Sequence, residues 1–292
     1  MRLHEFDRVL KNCITCLLTG LWAGAVSVCL AQQGTSSPVV TNSIGMEFVH
    51  ISAGSFTVGA FHPPFPVPAD TVKGAKRPLN MYMGEGRYST SEFALAQTLS
   101  QRDSREGFVV KIRKDFWMGR FEVTQSQWKK VMGANPSTFS GAESDQLPVE
   151  NVSWADAQAF VARLNQLDHA RRYRLPSEFE WEYAARAGAT DDIPWTAIEK
   201  TANLNKTHTV AVGQKQPNAW GLYDMLGNVW EWVDDFYNEK IFADRRSMKH
   251  GEVHVLKGAS FVGDVKNATY MTHAGGPGNG WDVGFRVLFE QR

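Results

Sequence analysis

The chain has 292 residues, of which 43% are hydrophobic, and this length suits one large domain or two small ones. Lysine plus arginine equals aspartate plus glutamate, at 31 each, so the charge balance gives no reason to expect nucleic acid or an anionic membrane as a partner. Ten tryptophans and 25 glycines indicate a turn-rich fold with aromatic packing and argue against a helical bundle.

The first 31 residues predict a secretory signal peptide. Arg2, Arg8 and Lys11 precede an apolar run over residues 13–31, and a polar stretch follows it. Cleavage is expected after Ala31. The alternative is an uncleaved anchor helix, because the run is about as long as a membrane-spanning helix needs to be. With cleavage, we expect a periplasmic protein that has no stable membrane span in its mature form.

All the cysteines of the chain, Cys13, Cys16 and Cys29, lie inside this N-terminal segment. The mature chain would therefore contain no disulfide, no thiolate nucleophile and no cysteine metal site. The sequence also has no phosphate-binding glycine loop and no dinucleotide fingerprint, so we expect no nucleotide cofactor.

The segments after the signal peptide alternate between predicted flexible and predicted ordered stretches. Residues 32–44 are rich in Ser, Thr and Gln and predict a flexible linker. Residues 46–59 predict two short strands around a turn. Residues 61–105 begin with four prolines and predict a long inserted surface loop, which is either a lid, a partner-binding element or a tolerated insertion. Alternation of apolar and polar residues over 108–113 predicts a strand.

Three helices are predicted next, because each start carries a capping box. The capping pairs are Thr124 with Gln127, Ser153 with Asp156, and Ser177 with Glu180. After residue 189 short strands and glycine turns dominate. The predicted fold class is α+β, with a single domain over residues 45–292 and low secondary-structure content.

Six strings in the mature chain then match one known family in order and spacing. They are FEVTQSQW, LPVENVSWADAQAF, YRLPSEFEWEYAARAG, AWGLYDMLGNVWEWVDD, VLKGASF and DVGFRVL. Together they resemble the formylglycine-generating-enzyme-like (FGE-sulfatase, sulfatase-modifying-factor) family over roughly residues 45–288. The resemblance implies one compact domain, related to C-type lectins, with low secondary-structure content.

The chain departs from the family where its founding chemistry is located. Family enzymes that oxidise a substrate cysteine carry two cysteines shortly after the motif that here reads Gly258–Phe261. Those two positions fall near Gly263 and Ala268, so the copper–thiolate centre that the family would imply cannot form. A histidine iron site has little support, because His250 and His254 would lie roughly 13 Å apart along a predicted strand.

The string DMLGNVWE resembles a family calcium site. The resemblance assigns side-chain oxygens to Asp224 and Glu231 and backbone carbonyls to Gly227 and Val229, a ligand set that suits a structural Ca²⁺. The alternative is that the two acids only cap turns. The resemblance also implies that Arg286 makes a buried ion pair.

The segment that replaces the cysteines supplies the candidate catalytic residues. His273, Asp264 and Tyr270 carry groups that exchange protons when their surroundings tune them. The candidate substrate-binding residues are Trp281, Asp282 and Ser260. The alternative for all of these polar groups is ordinary solvent-facing polarity.

Two functions from different classes remain open. One exported, cysteine-free branch of the family serves the maturation of pyoverdine-type siderophores, by oxidation of a dihydropyridine-type precursor in the periplasm. Resemblance to that branch implies an oxidoreductase with a small-molecule or peptide substrate. The alternative is a non-catalytic ligand- or protein-binding module with a C-type-lectin-like fold.

Overall fold

The structure is a computed structural model, and it describes residues 38–59, 107–190, 193, 198–263, 268–276 and 278–292. The signal peptide predicted for residues 1–31 and the insertion predicted for residues 61–105 therefore lie outside the described residues, and so does Asp264. In the part of the chain that the structure describes, none of the helices combines the length and the apolar character needed to span a membrane.

Short elements make up the domain, as the α+β prediction requires. The strands are β1 (Val39–Thr41), β2 (Glu47–Ile51), β3 (Gly54–Val58), β4 (Phe108–Ile112), β5 (Phe116–Gly119), β6 (Arg171–Arg174), β7 (Trp230–Phe236), β8 (His254–Lys257), β9 (His273–Gly276), β10 (Val283–Phe285) and β11 (Leu288–Gln291). The helices are α1 (Gln125–Met132), α2 (Trp154–Leu167), α3 (Glu178–Arg186) and α4 (Ile241–Asp244), with 3₁₀ turns at Ser144–Gln146 and Ile198–Lys200.

The strands form separate small sheets. An antiparallel sheet has the order β1-β2-β5-β11-β6, and β3 pairs with β4 in a two-stranded ribbon. A further sheet has the order β10-β7-β8-β9, in which β10 runs parallel to β7 and the other pairs are antiparallel. Consequently the start of β10 and the end of β8 both lie beside the start of β7.

The predicted capping boxes are confirmed at α1, α2 and α3. In each case the Ser or Thr side chain accepts from the third helical amide, and the side chain three residues on accepts from the cap amide. Helix α3 ends where Ala187 and Gly188 adopt left-handed backbone angles of φ 48° and 85°. The predicted strand near residue 108 is confirmed as β4.

The domain begins earlier than predicted. Residues 39–41 form β1, whose residues pair with residues 47–49 of β2, so the flexible linker predicted for residues 32–44 does not extend to residue 44. The reason is that Asn42 closes the connection. Its side-chain oxygen accepts from the amide of Met46 at 2.9 Å, which turns the chain back on itself.

Tryptophan side chains anchor the apolar core. Trp181 of α3 and Trp232 of β7 are fully buried, and Trp128 of α1 stacks on Phe160 of α2 with ring centroids 5.5 Å apart. The glycine-rich segments pack around these rings. For example, a side chain at Gly276 would overlap the ring of Trp232. The core therefore holds the start of β7, and the loops beside it, in one arrangement.

Candidate functional site

The loop after β8 forms a tight turn. Gly258 and Ala259 both have left-handed backbone angles, with φ of 91° and 63°. The amide of Gly263 then donates to the carbonyl of Ser260 at 2.9 Å. Non-glycine residues with positive φ are uncommon and concentrate at functional sites. The positive φ of Ala259 therefore makes this turn a candidate functional site.

Ser260 and Asp282 meet because Ser260 follows β8 and Asp282 precedes β10, and both of these strands pair with β7. The hydroxyl of Ser260 donates to the Asp282 carboxylate at 2.7 Å, and the carbonyl of Asp282 accepts from the amide of Trp230 at 2.8 Å. Ser260 is buried, whereas Asp282 is half-buried. Two of the predicted substrate-binding residues are thus brought together, with the carboxylate facing the surface.

Aromatic side chains surround this pair. Trp281 is 47% exposed, and its ring centroid lies 5.2 Å from that of Phe261 and 6.1 Å from that of Phe139. The rings meet edge to face, a favourable geometry for aromatic pairs. We call Ser260, Asp282, Trp281, Phe139 and Phe261 the Ser260–Asp282 site. It presents the partly exposed ring of Trp281 beside the carboxylate of Asp282, which the buried Ser260 hydroxyl binds.

Glu150 binds the backbone of Phe139, one of the residues of the Ser260–Asp282 site. Neither Glu150 nor Phe139 was identified from the sequence. The Glu150 carboxylate accepts from the amide of Phe139 at 2.8 Å. Burial raises the pKa of Glu150, and the nearby charge of Asp282 raises it further. The available signal was an acidic residue inside the otherwise apolar run LPVENV.

His273 and Tyr270 lie elsewhere. His273 Nδ1 is 2.7 Å from the Glu178 carboxylate at the start of α3, whereas the Tyr270 ring lies 5.8 Å from the guanidinium of Arg186 at its end. The catalytic roles of His273 and Tyr270 stay predictions, and Asp264 lies outside the described residues.

The imidazole of His254 packs against aromatic rings. Its ring stacks on Trp154 with centroids 3.7 Å apart and also contacts Phe236, and burial lowers its pKa. His250 lies outside β8. The prediction that His250 and His254 lie on one strand is therefore wrong. Among the described residues no group of three His, Cys, Asp or Glu side chains is placed to hold a metal ion.

The predicted calcium residues lie in a turn that leads into β7. Asp224 is buried, and its carboxylate accepts from the Asn203 amide group at 2.9 Å and the Gly213 backbone amide at 2.6 Å. Glu231 is also buried and accepts from Arg286 at 2.5 and 2.6 Å and from Trp181 at 2.7 Å. The expected ion pair of Arg286 is confirmed.

Acidic side chains outnumber basic ones among the described residues of this buried region. Glu122 lies near Asp224 and Glu231, and Arg286 is the nearby cation. Burial raises the pKa of Glu122 well above its ordinary value, and the charges of Asp224 and Glu231 add to this effect. A raised pKa favours the protonated, neutral form of Glu122, which removes one negative charge from this buried region.

The donor chemistry of the turn fits calcium. Gly227 and Val229 are buried, and none of the hydrogen bonds found outside the helices and strands of the described residues ends at their carbonyl oxygens. Carbonyl and carboxylate oxygens are the type of ligand that Ca²⁺ takes. In this structure the carboxylate oxygens of Asp224 and Glu231 accept hydrogen bonds from protein groups, so the two carboxylates would have to exchange these partners to bind an ion. The ligand set Asp224, Gly227, Val229 and Glu231 stays a prediction.

The fold and the Ser260–Asp282 site define a class of protein: a single α+β domain whose loops gather aromatic and acidic residues, with no cysteine in residues 38–292. Residues 36–291 match the family model described as the sulfatase-modifying factor enzyme 1-like domain. The chain therefore belongs to the FGE-sulfatase family, as its motifs predicted.

Relatives similar in sequence to this chain carry names for different functions, a chaperone and an enzyme. The chain is 31% identical over 236 residues to the chaperone protein LppX of Paenibacillus barcinonensis, a match that covers 60% of this chain and 80% of LppX. It is 31% identical over 164 residues to the formylglycine-generating enzyme of Streptomyces coelicolor, which covers 46% of this chain and 50% of that enzyme. The chain thus spans about half the length of that enzyme.

A solved structure supports the fold. PvdO from Pseudomonas aeruginosa superposes with a TM-score of 0.64 at 23% identity, covering 87% of this chain and 98% of PvdO. Identity at this level establishes a shared fold only.

Proposed function

We propose that this protein is a periplasmic FGE-like enzyme that oxidises a dihydropyridine-type precursor of a pyoverdine-type siderophore to its aromatic form. The observation that carries the proposal is the Ser260–Asp282 site, because it forms directly beside Gly263, where family enzymes carry a cysteine. A ring-binding surface next to a carboxylate at that position supports a small aromatic substrate.

The reaction needs no thiolate. Aromatisation removes two electrons and two protons from the dihydropyridine ring, and dioxygen accepts both, which gives hydrogen peroxide. The enzyme has to bind the ring, exclude competing reactions and take a proton from the ring carbon. The copper chemistry of the family is not part of the proposal, because the chain has no cysteine after Cys29.

The described residues suggest a division of roles. The exposed face of Trp281 stacks on the substrate ring, and Asp282, held by Ser260, accepts a hydrogen bond from the ring N–H. Asp264 follows Gly263 directly in the chain and is the proposed base. His273 contacts Glu178 and Tyr270 contacts Arg186, and the proposal assigns neither of them a step.

Oxygen uptake by purified protein with the reduced precursor tests the proposal. We expect equal amounts of oxygen consumed and peroxide formed, strong loss in Asp264→Asn and a raised KM in Trp281→Ala. Asp145→Asn, in an exposed acid outside the site, is the control. If Asp264→Asn, His273→Ala and Tyr270→Phe all keep full activity, the catalytic assignment is wrong.

A binding module is the second candidate, and a specific observation favours it. Trp281 and Val262 are 47% and 48% exposed on neighbouring loops, and such apolar exposure often marks an interaction surface. The relative LppX is named a chaperone protein. Mass spectrometry of small molecules with and without the gene separates the two functions. A precursor heavier by two hydrogens in the deletion strain supports the enzyme, and an unchanged profile supports the module.

A further inference from the structure

A cavity of about 510 Å³ opens at the end of α3, and the described residues that line it do not include those of the Ser260–Asp282 site. Ala187, Leu222, Met225, Leu226 and Tyr270 line it, and all of them are buried. Its volume lies in the range of small-molecule sites. Ser260, Asp282 and Trp281 are not among the described lining residues, so this cavity is separate from the proposed oxidation site.

Two charged side chains in the interior of the cavity already bind other groups of the protein. Arg186 is paired with Glu182 at 2.9 Å, and the carboxylate of Asp224 accepts from Asn203 and from the Gly213 amide. A ligand group that enters this interior gains little from hydrogen bonding, and a polar group there would lose its hydration. The inner part of a ligand should therefore be apolar.

The outer part of the cavity is different. Lys200 and Gln216 line it and are exposed, so the ammonium of Lys200 stays in water at the opening. A lysine in this position buries its aliphatic stem against apolar surface and presents its charge at the rim. It favours a ligand whose polar end is acidic.

We propose that this cavity binds an amphipathic organic anion, with an aromatic or aliphatic body inside and a carboxylate or sulfonate at Lys200. The inference goes beyond the proposed oxidation and does not depend on it. Binding would hold the end of α3 against the loop that contains Leu222 and Met225.

Titration with the fluorescent sulfonate 8-anilinonaphthalene-1-sulfonate tests the location. We expect one saturable site, and Ala219→Trp and Ala189→Trp, at two exposed lining positions, should each weaken binding roughly tenfold or more. Leu167→Trp adds the same ring on the exposed surface of α2 and should leave binding unchanged. Unaltered binding in both cavity variants, or equal weakening in Leu167→Trp, would overturn the proposal.

Charge reversal tests the ligand class. Lys200→Glu should weaken binding of the sulfonate roughly five- to tenfold at low salt, with the neutral probe N-phenyl-1-naphthylamine unaffected. Lys206→Glu reverses an exposed lysine that is not among the described lining residues and is the matched control. Equal sulfonate affinity in Lys200→Glu and the unaltered protein would refute the anion assignment. Melting temperatures of all variants verify that each is folded.

Discussion

Replacing Arg286 with methionine is expected to destabilise the protein strongly. The guanidinium of Arg286 is fully buried and binds the Glu231 carboxylate through two nitrogens, at 2.5 and 2.6 Å. It also donates to the backbone carbonyls of Gly119 and Tyr223. Methionine preserves much of the volume but leaves the Glu231 carboxylate without its cation.

The magnitude follows from burial. Removing one partner of a buried ion pair costs about 3–5 kcal/mol, because an uncompensated charge remains in the interior. Here Arg286 also lowers the pKa of Glu122, so its loss affects a second carboxylate. The exposed pair of Lys129 and Asp145 is the matched control, since Lys129→Met should cost only about 0–1 kcal/mol.

Urea unfolding followed by tryptophan fluorescence measures the difference, in EDTA so that any bound cation is removed. For an m-value of about 3 kcal/mol per molar urea, Arg286→Met should lower the midpoint by roughly 1–2 M. Adding Glu231→Leu should recover part of the loss, because the unpaired charge is then gone. If Arg286→Met shifts the midpoint no more than Lys129→Met does, the burial reasoning is refuted.

Three further predictions concern the ion, a histidine and a glycine. EDTA is expected to lower the melting temperature and calcium to restore it, and no shift with either would end the calcium prediction. Because the pKa of His254 is lowered in the folded protein, the stability that its neutral ring contributes above about pH 6.5 is lost as the pH falls. His254→Phe should therefore reduce the change in melting temperature between roughly pH 7 and 5. The same pH dependence in this variant and the unaltered protein would contradict the prediction. Gly227 has φ 84°, and a Cβ added to it would overlap the carbonyl of Asn203. Gly227→Ala should therefore lower the free energy of unfolding by well above the roughly 1–2 kcal/mol of left-handed strain expected for Gly133→Ala, where nothing lies within 4 Å of the added Cβ. Equal losses in the two variants by urea unfolding would count against the overlap.

Local signals were sufficient to predict the helices. The side chains of Thr124, Ser153 and Ser177 cap α1, α2 and α3 as the capping boxes predicted, because a cap needs only residues three positions apart. The beginning of the domain was placed too late. Strand β1 is only three residues long, and its sequence VVT carries too little alternation to identify a strand before its pairing with β2 is known.

The sequence by itself determined the family, the α+β class and the absence of cysteine after Cys29, because these depend on residue identity and short spacing. Tertiary structure alone decided which polar groups meet. Ser260 reaches Asp282 across 22 residues, and His273 reaches Glu178 across 95, because the strand order around β7 and the packing of α3 bring them together. Contacts of this kind depend on strand pairing and burial, which no local pattern encodes.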